Sequence, residues 1–183
     1  MPKTIVAFGA SSSRKSINKK FAAFAAQQIA NANVNLLDLN DFEMPIYSID
    51  REMEDGIPEL AHQFKKHITN SDGIIISFAE HNGAYSAAFK NIFDWVSRID
   101  MNVWQNKPML LLSTSPGGRG GKTALGIATT SFSHSNKNTI ASFSFPSFYK
   151  SFKEDAGILD EDLRKSFQGQ LDIFVSALVS MKK

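Results

Sequence analysis

Two short runs, Gly73-Ile74-Ile75-Ile76-Ser77-Phe78 and Pro108-Met109-Leu110-Leu111-Leu112-Ser113-Thr114, are apolar at nearly every position. A strand with one wet face alternates polar and apolar side chains, so unbroken runs of this kind belong to strands covered on both faces. Covering both faces takes helices, and the chain supplies them in alternation. Strand patterns near 3–9, 34–39, 73–78, 108–114 and 139–145 are interleaved with segments of helical period near 16–31, 57–70, 85–98, 121–134 and 160–181. Strand and helix alternating five times predict an α/β fold, a doubly wound five-stranded parallel sheet with helices on both faces, its third and fourth strands central. At 183 residues the chain can bury one good core, so a single domain over 1–183 is expected.

Composition removes several kinds of chemistry. The chain has no cysteine, which excludes disulfides, a thiolate nucleophile and thiolate-bound metal, so any redox work falls to a bound cofactor. A formal net charge of +2, with lysines scattered rather than striped, argues against a nucleic-acid partner. No apolar run is long enough to span a bilayer and Met1-Pro2-Lys3 leads straight into a strand pattern, so the expectation is a cytoplasmic protein without a membrane partner.

Sheets of this kind bind ligands beyond the carboxyl ends of the strands, where the strand order switches. The unusual residues of this chain fall there. After the first strand come Ser11-Ser12-Ser13-Arg14-Lys15-Ser16-Ile17-Asn18, four serines with cations at the start of a helix. Backbone N–H groups, hydroxyls and a positive helix end converge there to hold an anion, and hydroxyls in place of bare glycines suit a terminal monophosphate. Neither G-x-G-x-x-G nor G-K-[ST] occurs at this turn, which separates it from dinucleotide and Walker loops. A single serine would be read as a helix cap; the cluster asks for more.

After the third strand come Ala79-Glu80-His81-Asn82-Gly83-Ala84-Tyr85, and after the fourth Ser115-Pro116-Gly117-Gly118-Arg119-Gly120-Gly121. One histidine without companions is poor metal spacing, and no nucleophile stands beside it, so neither a metal nor an acid–base catalyst is assigned. The glycines let backbone approach a flat ligand closely. His62, His67 and His134 read as solvated helix surface.

With these residues in view, the chain resembles the NADPH-dependent FMN reductase family, a flavodoxin-like group that includes quinone, azo-dye and chromate reductases. The family's motifs are G-S-x-R-x-x-S-x-N in the first turn, P-E-Y-N-x3-P-G-x-L-K-N-x-I-D-W in the middle, and a glycine-rich loop. Here the middle motif runs in register from Glu80 through Lys90 and Asn91 to Asp94 and Trp95, and Ser115–Gly121 supplies the third. The resemblance implies that Ser11, Ser13, Arg14, Ser16, Ile17 and Asn18 surround the FMN phosphate. It implies that Ala79, Glu80, His81, Asn82 and Gly83 border the isoalloxazine, and that Ser115, Gly117 and Gly118 close over its other side. Lys90, Asn91, Asp94 and Trp95 are expected to be structural.

Departures from the motif are specific. Aligning Ser16 and Asn18 puts Ser13 where the family has arginine, with Arg14 one place later; Ala79 replaces a proline, His81 a tyrosine, and Ser86-Ala87 a Pro-Gly pair. The resemblance further implies NADPH as donor, a quinone, azo, metal-oxyanion or free-flavin acceptor, and a homodimer or homotetramer with flavin at the subunit boundary. A non-enzymatic flavoprotein, carrier or sensor, is the alternative; a hydrolase on the same scaffold lacks a nucleophile with a positioned base. The long connection 40–56 is expected to cover the cofactor rim or meet a second subunit, and the aromatic run Phe143, Phe145, Phe148, Tyr149 and Phe152 to serve partly as lid or interface.

Overall fold

In the computed structural model, which describes residues 2–181, five parallel strands form the expected sheet. They are β1 (Lys3–Ala10), β2 (Ala32–Leu37), β3 (Gly73–Phe78), β4 (Met109–Thr114) and β5 (Ile140–Phe145), in the order β2-β1-β3-β4-β5. The helices are α1 (Ile17–Gln27), α2 (Ile49–Asp55), α3 (Glu59–Thr69), α4 (Ala87–Ile99), α5 (Lys122–Ser135), the single turn α6 (Phe148–Ser151) and α7 (Glu161–Ser180). Every residue of β3 and β4 is buried, as their unbroken apolar character requires.

Because side chains alternate along a strand, β1 sorts the molecule into two cores. Ile5 and Ala7 face α1 and α7, where Phe21, Phe167 and Phe174 pack; Val6, Phe8 and Ala10 face α3, α4 and α5, where Phe64, Phe89 and Phe132 pack. Helix α1 lies unusually close to β1. A Cβ built on Gly9 would stand 2.3 Å from the Lys19 backbone nitrogen, so this position takes only glycine.

Three expectations need correction. The second strand ends at Leu37 rather than 39, because the Asp38 carboxylate accepts the Asn40 N–H (3.0 Å) and starts a 3₁₀ turn, Leu39–Phe42, that buries Leu39 and Phe42. The first helix stops at Gln27 rather than near 31, and the chain then turns through Asn31 at φ 56°. The aromatic run expected to serve partly as lid or interface is core: Phe143 and Phe145 lie within β5, with Phe148 and Phe152 they are buried among Phe21 and Phe167, and only Tyr149 stands out, 71% exposed.

The connection 40–56 holds the 3₁₀ turn and α2, and it is strapped to α4. Asn91 Nδ2 donates to the Met44 and Pro45 carbonyls, Asn91 Oδ1 accepts the Tyr47 N–H, and Trp95 Nε1 donates to Pro45 O at 2.7 Å. Asn91 and Trp95 of the middle motif thus do the structural work expected of them.

Lys107, 7% exposed, closes the end of α3 by donating to the carbonyls of Ile68, Thr69 and Ser71. Burial pushes its ammonium down from 10.5 to about 8. Lys107→Met should cost about 2–3 kcal/mol in denaturant titration, since three carbonyls lose their donor. Between pH 8 and the ordinary lysine value the unfolded chain holds this proton and the folded chain does not, so stability contributed here rises with pH. The gap between wild type and variant should therefore widen from pH 8 to 10; parallel profiles would refute the assignment.

Candidate active site

The strand order reverses direction between β1 and β3, and the turns following β1, β3 and β4 meet at that edge of the sheet. They enclose a cavity of about 240 Å³. Of the residues singled out in the sequence, Ser11, Ser13, Ser16, Ile17, Asn18, Ala79, Glu80, His81 and Ser115 line it. Arg14, Asn82, Gly83, Gly117 and Gly118 do not. Lys15, Thr114, Pro116 and Tyr149 line it without having been singled out as ligand contacts, and the neighbouring sequence pattern offered no means of choosing Lys15 over Arg14.

The first turn is built to donate. Ser11 and Ser16 are 7% and 6% exposed. Ser11 Oγ accepts the Ser13 N–H and Ser16 Oγ accepts the Lys19 N–H, both at 3.2 Å, the latter capping α1. With their oxygens turned to backbone N–H groups, neither hydroxyl has an acceptor for its own proton among the described residues. Two buried donors facing a cavity call for an acceptor-rich ligand, and the N-terminal end of α1 adds positive potential at the same place.

Two residues expected to touch ligand spend their polar groups on the scaffold. Asn18, 3% exposed, accepts the Ser77 hydroxyl (2.8 Å) and the Thr114 N–H (3.0 Å) and donates to Thr114 O (3.1 Å), tying α1 to the ends of β3 and β4. Glu80 Oε2 accepts the Thr123 and Ala124 N–H groups at 2.9 and 3.1 Å. Helix α5 begins at Gly121, which has no side chain to cap it, so a carboxylate from the neighbouring turn takes that role at the positive end of the helix.

Asn82 and Gly83, at φ 52° and 77°, form the two-residue turn of a hairpin pairing Glu80 with Tyr85 and His81 with Ala84. Asn-Gly is the standard signature of that turn, a signal present in the sequence. Tyr85 is half-buried against Phe78 and Phe89, which pushes its phenol pKa up and keeps it protonated. Ser86 caps α4 and donates to Ala10 O (2.8 Å), fastening this turn to the end of β1.

In the glycine-rich loop the constraint sits at Gly120. Its φ is 62°, and a Cβ there would stand 2.6 Å from Ser144 Oγ and 2.9 Å from the Phe145 backbone. A Cβ on Gly118 would meet nothing and one on Gly117 only Ser115 Oγ at 4.0 Å, and the Gly117 carbonyl accepts the Ser147 N–H, which anchors the loop to the start of α6.

A parallel 2-1-3-4-5 sheet with helices on both faces defines a flavodoxin-like domain. The sequence profile of the NADPH-dependent FMN reductase family matches residues 4–150, and the chain belongs to that family. Among relatives, a 2-hydroxy-1,4-benzoquinone reductase of a Burkholderia species is 34% identical over 109 residues, 58% of this chain and 57% of that protein. A quinone reductase of Pseudomonas putida is 27% identical over 173 residues, 89% of this chain and 88% of that protein. The alignments to the Burkholderia protein and to an NADPH:quinone oxidoreductase of Arabidopsis thaliana cover about half of those relatives, 57% and 48%. Among solved structures, the flavoenzyme NAD(P)H:(acceptor) oxidoreductase FerB of Paracoccus denitrificans superposes with a TM-score of 0.74 at 26% identity, over 97% of each chain.

The two scaffold ties make a matched prediction. Glu80→Ala should destabilise the protein by about 1–2 kcal/mol, the range of a lost helix cap, and Asn18→Ala by about 2–4 kcal/mol, because buried partners are orphaned. Hydrogen exchange should locate the first at the Thr123 and Ala124 amides and the second at Thr114. Unchanged protection at those amides would show that the ties carry no load.

Proposed function

We propose that the chain, as one domain over residues 1–183, is an FMN-dependent NAD(P)H oxidoreductase whose acceptor is a small oxidised molecule: a quinone, an azo compound, a metal oxyanion or a free flavin. The observation that carries the reading is the pair of buried hydroxyls, Ser11 and Ser16, left with only protons to offer at the cavity wall. The phosphate of FMN is an acceptor-rich dianion, and this donor set fits it. Bound there, the flavin supplies hydride acceptance from NADPH and delivery to the acceptor.

The protein's own part is placement. Ser11, Ser13 and Ser16 would hold the phosphate, while Ala79, Glu80 and His81 on one side and Ser115 on the other flank the space left for the ring. Asn18 and Glu80 set the spacing of these walls through the bonds described above. No acid, base or nucleophile of the chain is asked to act, which agrees with a wall whose one carboxylate is bonded to helix N–H groups. Cytoplasmic location and assembly as a homodimer or homotetramer belong to the same reading, and among the described residues no helix is long and apolar enough to cross a membrane.

One spectral titration tests this. Protein incubated with FMN and desalted should keep a flavin absorption band, the band should bleach on anaerobic NADPH, and 1,4-benzoquinone should restore it with multiple turnovers. Failure to retain FMN would remove the reading altogether. Bleaching without quinone turnover would favour an electron carrier or sensor.

A further inference from the structure

The cation that lines the cavity is not the arginine of the serine turn. Arg14 and Lys15 are adjacent on an exposed turn, yet only Lys15 contributes to the cavity wall. The next two lysines are occupied elsewhere: Lys19 pairs with Asp38 at 2.5 Å, which holds that carboxyl below its ordinary range, and Lys20 pairs with Glu154 at 2.5 Å. Lys15 makes no ion pair among the described residues. Glu80 is the one acidic residue of the wall, and its Oε2 is held by two backbone N–H groups of α5. Lys15 is the one lysine or arginine of the wall among the described residues, and it stands beside the proton-bearing hydroxyls of Ser11 and Ser16.

We propose that Lys15, and not Arg14, supplies the counter-charge for a phosphate monoester in this cavity, and so sets the preference for phosphorylated over unphosphorylated flavin. The inference rests on the flavin reading for its ligand, though the anion site itself can be probed without flavin. A lysine is a compact charge on a flexible stem, suited to a phosphate already fixed by hydroxyl and backbone donors. An arginine outside the cavity wall adds only long-range potential, which salt screens over about 8–10 Å.

The test measures FMN and riboflavin affinity of flavin-free protein by quenching of flavin fluorescence, in wild type, Lys15→Gln, Lys15→Arg and Arg14→Gln. Lys15→Gln should weaken FMN about tenfold, as expected for loss of one hydrogen bond to a charged group, and leave riboflavin within about twofold. Lys15→Arg should restore most of the FMN preference, and Arg14→Gln should leave both ligands within about twofold. In parallel, inorganic phosphate should raise the thermal midpoint above sodium chloride at equal ionic strength in wild type and Arg14→Gln, but not in Lys15→Gln.

The proposal is overturned if Arg14→Gln weakens FMN as much as Lys15→Gln does, or if Lys15→Gln weakens riboflavin equally. If no flavin binds but phosphate stabilises in a Lys15-dependent way, the flavin reading falls and Lys15 stands. If FMN binds Lys15→Gln as tightly as wild type, Lys15 falls and the flavin reading stands.

Discussion

The buried carboxamide of Asn18 is the joint on which the rest of the site depends. It sits one residue into α1 and satisfies groups on two other strands, the Ser77 hydroxyl of β3 and both backbone groups of Thr114 at the end of β4. A buried amide with three bonds cannot move without orphaning its partners, at about 1–3 kcal/mol for each, so the first turn keeps a fixed distance from the other two. That reach exists because α1 lies against β1 without a side chain between them at Gly9. A bare backbone position in the strand therefore determines where the serines of the turn stand.

The same economy governs Glu80. A helix whose first residues lack a side-chain cap leaves N–H groups pointing at the cavity rim, and the adjacent turn supplies a carboxylate to them. The bonds direct one carboxylate oxygen at α5. The serine turn on the other wall keeps its hydroxyl protons and Lys15, even though the chain as a whole is close to neutral. Local polarity is decided by where the scaffold directs each group, and net charge carries no record of that.

Much of the fold could be read directly from residue pattern. The all-apolar runs at 73–78 and 108–114 implied coverage on both faces, and both became fully buried inner strands. The edge strand β2 was misplaced by two residues: its outward face is partly wet, so apolar Leu39 looked like its continuation until the Asp38 side chain turned the backbone. For the site, the three turns were legible because small, polar and charged residues followed three strands. Individual roles were so only in part. Asn82-Gly83 is a hairpin tip, legible from its own dipeptide, whereas Glu80 is a helix cap whose partners lie more than forty residues away, which no local pattern records. The aromatic run over 143–152 was ambiguous for the same reason, since Phe21 and Phe167, which bury it, come from helices distant in sequence.

The two ends of the cavity are built differently, and on the proposed reading this divides the grip on the phosphate from the space beside the ring. The donor end stands on α1, locked by Asn18 and by the close approach at Gly9, so its geometry is costly to distort. The opposite end is bounded by a hairpin of two residue pairs and by the exposed stretch 116–119 of the glycine-rich loop. That end is tied as well, by Glu80 to the first turn of α5 and by the Gly117 carbonyl to Ser147. On the proposed reading, substitutions in the serine turn would act on the grip of the phosphate, and substitutions in the hairpin and the glycine loop on the space beside the ring.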